Sequence, residues 1–223
     1  MFLGVERPTF MKSATLLVES TPACGQTPQL LVLLEELATP YEFVSRPAGY
    51  FFETYGRPGP RLVDGDLTLF ELAAMLRHCA RTRAAGRLLP RSPPELARVD
   101  AWLELAGLIG MTARALRREE REQGQARRPE RVEAERAQLS SIVQALERAL
   151  DDSDGDWLLG DFGVADCALV GLPTLGDLLD FRAWPRVRSY CERLRLRPAV
   201  ARIEIFLRAS PGACLESSSC SIS

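Results

Sequence analysis

Two hydroxyls and a thiol, Ser20, Thr21 and Cys24, stand close together at the start of one short segment, Glu19–Pro28 (ESTPACGQTP). It lies between an apolar run at Ala14–Val18, which reads as a strand, and Leu30–Leu37, which reads as an apolar-faced helix. Thr27 is placed to cap that helix, with Pro28 in its first turn. The start of a helix carries partial positive charge, which favours an anion beside it. A cysteine held there has its pKa drawn down from about 8.5 to roughly 3.5–7.5 and becomes a nucleophile near neutral pH. The alternative is that Cys24 only lines the loop.

Other chemistry is restricted by composition. His78 is the single histidine, which excludes zinc sites built on two histidines. It is expected on the exposed side of its helix. Six cysteines occur, at 24, 79, 167, 191, 214 and 220, without a CxxC spacing. Cys79, Cys167 and Cys191 fall in helical patterns, where a buried thiol acts as a small hydrophobe in a reducing compartment. Asp151–Asp156 (DDSDGD) resembles a calcium loop only in part. With Gly155 at the sixth position, the first would be Leu150 and the twelfth Asp161 rather than Glu. It reads as an acidic loop ending a helix, and no metal is expected.

The stretch Gly56–Ala80 (GRPGPRLVDGDLTLFELAAMLRHCA) organises the first half of the chain. Asp64-Gly65 signals a two-residue hairpin turn between Arg61–Val63 and Leu67–Phe70. From Glu71 the apolar period changes, and Leu72, Met75, Leu76 and Cys79 follow helical spacing. Pro60 has no N–H for a sheet ladder, so it opens a strand or sits at an edge. A trans bond would make it an ordinary strand opener. A cis Gly59-Pro60 bond would leave the backbone of Gly59 free to pair with an extended peptide-like ligand. With Tyr41–Val44 as a second strand the order is βαβ–ββα, so the first two strands should be parallel. Residues 45–57 hold Pro47, Gly49 and Gly56 around Tyr50-Phe51-Phe52, leaving room for a short helix only.

The remainder reads as helices. Ser92-Pro93-Pro94-Glu95 is a capping box, and apolar positions 96, 99, 102, 103, 106 and 109 continue it. Arg114–Arg136 is dense in Arg and Glu and reads as a solvated hairpin tip, with Gly124 and Pro129 as breaks. Positions 139, 142, 143, 146 and 150 form the next apolar stripe. At 223 residues, 46% hydrophobic and 26% charged, the chain has an ordinary globular composition. Its 28 basic and 30 acidic side chains leave a net charge of −2, without the positive excess nucleic-acid binding draws on. Lys12 is the only lysine. Residues 1–13 read as an extension without signal-peptide or membrane-span character, with Met11 as a plausible start. The Ser-rich stretch 210–223 ends in Cys220-Ser-Ile-Ser223, an imperfect prenylation box.

Pro60-Arg-Leu-Val-Asp-Gly-Asp-Leu, then Leu69-Phe70-Glu71 and Ala73-Ala74-Met75-Leu76, resembles the thioredoxin-like domain of the glutathione transferase family. Trp157-Leu-Leu-Gly-Asp161, Gly163-Val-Ala-Asp166, Trp184-Pro-Arg-Val, Leu194 and Arg197-Pro-Ala-Val200 resemble its all-helical domain, so the resemblance spans about 14–207. The implied architecture is an α/β thioredoxin-like domain at 14–81, a linker at 82–91 and a helical bundle at 92–209.

The resemblance also implies a cis-Pro at 60 and a Glu-Ser pair heading the third helix. Glu71 matches the acid, whereas Leu72 stands where a Ser would hydrogen-bond the γ-glutamyl carboxylate of glutathione. Asp166 matches the acid of a structural capping box, with Gly163 in place of its hydroxyl residue. Pro22-Ala23-Cys24 is similar to the Pro-x-Ala-Cys segment of the bacterial beta class, one residue shorter. In that class the Cys contacts glutathione or forms a mixed disulfide with it. Ser20 or Thr21 would instead donate a hydrogen bond to the glutathione thiolate. The implied site is Cys24, Ser20 and Thr21 for catalysis, with Gly59, Pro60 and Glu71 binding glutathione as co-substrate. The implied protein is a cytoplasmic, detoxifying homodimer acting on a small electrophile or disulfide, with no nucleic-acid or membrane partner. Some members of the family are instead non-catalytic docking modules, and Leu72 fits that alternative.

Overall fold

The computed structural model describes residues 15–21, 24–47, 49–57, 59–84, 86–121 and 128–209. The N-terminal extension, Pro22-Ala23, Gly124 and the Ser-rich segment with its Cys220 box lie outside the described residues.

Four strands form one sheet in the order β2-β1-β3-β4: β1 (Leu16–Ser20), β2 (Tyr41–Ser45), β3 (Arg61–Asp64) and β4 (Leu67–Leu69). As expected, β1 and β2 are parallel; β1–β3 and β3–β4 are antiparallel. Asp64 pairs with Leu67, so the hairpin's two central residues are Gly65-Asp66 rather than Asp64-Gly65. Gly65, at φ 59°, takes the left-handed position that such a turn demands. Asp64, freed from the turn, accepts from His78 Nε2 (2.8 Å) and Arg83 Nη2 (2.6 Å). His78 is therefore half-buried and engaged, not on an exposed face. Burial opposes ionisation of Asp64, but the hydrogen bonds from Arg83 and His78 outweigh it and lower its pKa.

Helix α1 (Thr27–Glu36) returns the chain from β1 to β2. Leu30, Leu31, Val32, Leu33 and Leu34 are all at most 1% exposed. A helix apolar on every side must be covered on every side, and this one lies between the sheet and the helices that follow. Helix α2 (Tyr50–Tyr55) is a single short segment, bounded by left-handed glycines at 49 and 56. It buries Phe51 and leaves Phe52 exposed. Helix α3 (Leu72–Arg83) buries Leu72, Met75, Leu76 and Cys79, as their spacing predicts, and runs two residues into the stretch read as linker.

Beyond the linker lie α4 (Pro93–Arg121), α5 (Pro129–Asp151), α6 (Val164–Ala168), α7 (Pro185–Arg195) and α8 (Pro198–Ala209). Half of the expected capping box is present: Glu95 N donates to Ser92 Oγ, while the Glu95 carboxylate accepts from the Ser92 hydroxyl rather than from its backbone N–H. Leu139, Ile142, Val143, Leu146 and Leu150 form the buried stripe of α5. The Arg/Glu-rich tip is less solvated than its composition predicts, because Glu119 is 6% exposed, 3.4 Å from Arg131 across the hairpin. Two ion pairs tie the end of α1 to the helical half: Glu36 accepts both forks of Arg197 (2.8 and 2.7 Å), and Glu35 meets Arg202. Arg197 also lies 3.5 Å from the Phe162 ring centre. Among the described residues, no helix is long and apolar enough to cross a membrane.

Candidate functional site

The chain leaves β1 at Ser20, and a turn at Gly25-Gln26 leads into α1. Cys24 N donates to Thr21 O (3.0 Å), and Thr27 N donates to Cys24 O (3.1 Å). Ser20 points inward with no exposed surface, and its hydroxyl is hydrogen-bonded to that of Thr27. Thr27 therefore does not cap α1; it is the first helical residue, and Gln26 precedes it. Its hydroxyl anchors the end of β1 to the start of the helix. Thr21 is half-buried and Cys24 is half-buried.

Opposite this turn runs the loop from α2 to β3. The Gly59-Pro60 bond is cis. Gly59 precedes the first ladder pair, Glu19 with Arg61, and its carbonyl accepts the Cys24 thiol at 3.0 Å. A Cβ at Gly59 would stand 2.5 Å from Cδ2 of Phe51, whose ring is buried, so only glycine fits. Cys24 and Gly59, 35 residues apart, are thus brought into direct contact.

Glu71 heads α3 at φ 66°, a left-handed conformation rare for a side chain larger than glycine. Its carboxylate pairs with Arg57 Nη2 at 2.7 Å. Leu72, the first residue of α3, is 6% exposed and presents no hydroxyl.

Sequence reasoning missed a charged cluster beneath the site. Glu19 alternates with Val18 and Ser20, so it faces the other side of the sheet, toward α2. It is 1% exposed and accepts from Arg46, at the end of β2, and from Arg61, at the start of β3. The Arg46 Nε contact is 2.8 Å. The two guanidinium groups lie over the rings of Tyr50 and Tyr55, at 5.0 and 5.5 Å. Burial opposes the charge on Glu19, but the hydrogen bonds and charges of both arginines outweigh it and lower its pKa. The signal in the sequence was an acid on a strand whose two neighbours carry an arginine at their near ends.

The other described thiols are free and enclosed. Burial pushes Cys79 and Cys191 up to about 12 and Cys167 well above its usual range, so none is a nucleophile near neutral pH. Asp166 is also structural. It accepts from Gly163 N (2.9 Å), Leu158 N (3.2 Å) and Tyr190 OH (2.8 Å) at the start of α6. Burial pushes its carboxyl up, while those donors pull the other way. A cavity of about 460 Å³ opens elsewhere, between Leu88 and Phe162, and none of the six residues singled out by the sequence lines it. Among the described residues no group of His, Cys, Asp and Glu is arranged to hold a metal ion.

The chain is 30% identical over 205 residues to glutathione S-transferase 4 of Zea mays, covering 82% of this chain and 89% of that protein. No protein-family model matches. Its fold matches that of the glutathione transferase URE2P8 from Phanerochaete chrysosporium, solved with oxidized glutathione. That match has a TM-score of 0.76 and 19% identity, covering 90% of this chain and 97% of that one. It also matches the theta class glutathione S-transferase of Xanthomonas axonopodis pv. citri, solved with glutathione bound. There the TM-score is 0.72 and the identity 22%, covering 84% of this chain and 96% of that one. The structural matches carry the α/β-plus-helical architecture, and the maize relative carries the kinship: the chain belongs to the glutathione S-transferase family.

Proposed function

We propose that the chain binds glutathione against Cys24 and Gly59 and joins its thiol to a small electrophile, or exchanges it with a disulfide. The observation that carries this reading is the contact of Cys24 Sγ with the Gly59 carbonyl. It puts a polarisable thiol and a peptide group at one point beside the start of α1. Two solved proteins of the same fold hold glutathione or its oxidized form. In the conjugation, the glutathione thiol loses its proton to solvent and its sulfur bonds to the electrophilic carbon. The leaving group departs with its electron pair. In the exchange, the Cys24 thiol gives its proton to solvent, its sulfur attacks a disulfide sulfur and the other sulfur leaves as thiolate. The glutathione sulfur then attacks the mixed disulfide and releases Cys24. Gly59 and Pro60 form the wall for the cysteinyl unit, and Glu71 meets the amine of the γ-glutamyl unit. Ser20 has no exposed surface, whereas Thr21 and Cys24 are half-buried and remain the groups open to a bound thiol. A cytoplasmic homodimer is the working unit this reading assumes.

Turnover of a chlorinated nitroaromatic with glutathione tests it. The Cys24→Ser enzyme is expected to lose about tenfold or more in kcat/KM, the scale of one charged hydrogen bond. Equal rates in both proteins remove Cys24 from the mechanism. Leu72, apolar and buried at the start of α3, favours a second reading in which glutathione binding is lost and the fold serves as a docking module. Millimolar glutathione giving no heat in calorimetry, together with a stable partner complex, selects that reading.

A further inference from the structure

We infer that the cavity of about 460 Å³ between the linker and the segment joining α5 to α6 is a second small-molecule site, one that takes an organic cation with an aromatic body. Its volume is that of an ordinary ligand pocket. None of Ser20, Thr21, Cys24, Gly59, Pro60 and Glu71 lines it, so it stands apart from the proposed glutathione site.

The walls come from three parts of the chain, each fixed without a ligand. Val164 N, at the start of α6, donates to Leu88 O (3.0 Å) and pins the linker. Leu158 N and Gly163 N both donate to the buried Asp166 carboxylate, which holds the segment before α6 closed on itself. Nearer α5, Ser153 Oγ donates to Trp157 O (2.6 Å). The third wall is the beginning of α4, where Val99 is buried. A pocket preorganised in this way binds at lower cost than one that must be ordered by its ligand.

The lining selects the ligand. Val99, Leu158 and Val164 are buried and Leu88, Leu89 and Phe162 half-buried, so the interior offers apolar surface. Four exposed carboxylates line it as well, Glu95, Asp152, Asp154 and Asp161, against two exposed guanidinium groups, Arg87 and Arg98. Arg87 donates to Leu37 O, and Glu95 accepts from Ser92. Among the described residues, Asp152, Asp154 and Asp161 have no ion-pair partner. An aromatic body would enter the interior while its charge stays at the wet edge, where anions outnumber cations. Glutathione, with a net negative charge, is the wrong ligand for such a place.

Naphthylmethylammonium, naphthylmethanol and naphthylacetate share one ring system and differ in charge. Calorimetric titration of the full chain at low ionic strength should rank them in that order, with about three- to tenfold between the first two, the scale of a few screened ion pairs. The double variant Asp154→Asn, Asp161→Asn changes exposed side chains only. It should bring the ammonium close to the alcohol and leave the alcohol unchanged, whereas Arg98→Gln should tighten the ammonium. Saturating glutathione should leave the ammonium affinity as it was. No binding of the ammonium, equal affinities for the three compounds, an ammonium affinity untouched by the double variant, or competition by glutathione overturns the inference.

Discussion

The Asp166→Ala substitution is expected to destabilise the fold by about 3–5 kcal/mol, a large part of the roughly 5–15 kcal/mol that holds a typical protein together. Asp166 is 1% exposed and gathers three donors: the N–H groups of Leu158 and Gly163 and the hydroxyl of Tyr190, itself with no exposed surface. Removing the carboxylate takes the acceptor from all three, and a buried donor left unpaired costs about 1–3 kcal/mol. It also uncouples the loop before α6 from α7, which carries Tyr190. The measurement is urea unfolding, where the midpoint should fall with little change in slope. Tyr190→Phe removes one donor and should cost about 1 kcal/mol alone but less in the Asp166→Ala background, because the two share one bond. Additive losses would mean that the bond contributes nothing.

The second large effect is expected at Glu19. Glu19→Gln leaves Arg46 and Arg61 facing each other without their shared anion and should cost about 2–4 kcal/mol. The cost is smaller than at Asp166 because the two arginines are 35% and 22% exposed and can turn to water. The pH dependence has a definite sign. The native pKa of Glu19 is lowered from its usual 4.5, so the unfolded chain binds the proton first as pH falls. The stabilisation is therefore full above about 4.5 and lost as pH drops through the lower native value. Acid unfolding of wild type and Glu19→Gln should converge across that window. A stability gap that stays constant from neutral pH into acid would show that the cluster does not act through charge.

Much of this architecture could be read from the residues because apolar spacing is a local signal. The stripe Leu72, Met75, Leu76, Cys79 and the stripe from Leu139 to Leu150 each lie within one helix and need no partner to be recognised. The errors came where a distant partner decides the outcome. Thr27 has the side chain of a cap, but Ser20 claims its hydroxyl. His78 was expected to face solvent, yet Asp64, from the neighbouring hairpin, holds it. The hairpin itself slipped by one residue because Asp-Gly and Gly-Asp both satisfy a tight turn, and only the pairing of Asp64 with Leu67 chooses between them. The same holds for the site. Cys24 and Gly59 were picked out separately, while their contact belongs to the fold. No local signal in the sequence marks Glu19, because its role exists only once three strands come together. The beta-class likeness rests in part on Pro22 and Ala23, which lie outside the described residues.

The most direct measurement is a crystal of the full chain soaked with glutathione. The tripeptide should lie along the loop before β3, its cysteinyl backbone against Gly59 and its sulfur beside Cys24 Sγ. Glutathione seated instead in the cavity by Leu88 and Phe162, or absent at saturating concentration while Cys24 keeps its bond to the Gly59 carbonyl, would contradict a thiol-handling cleft at this place.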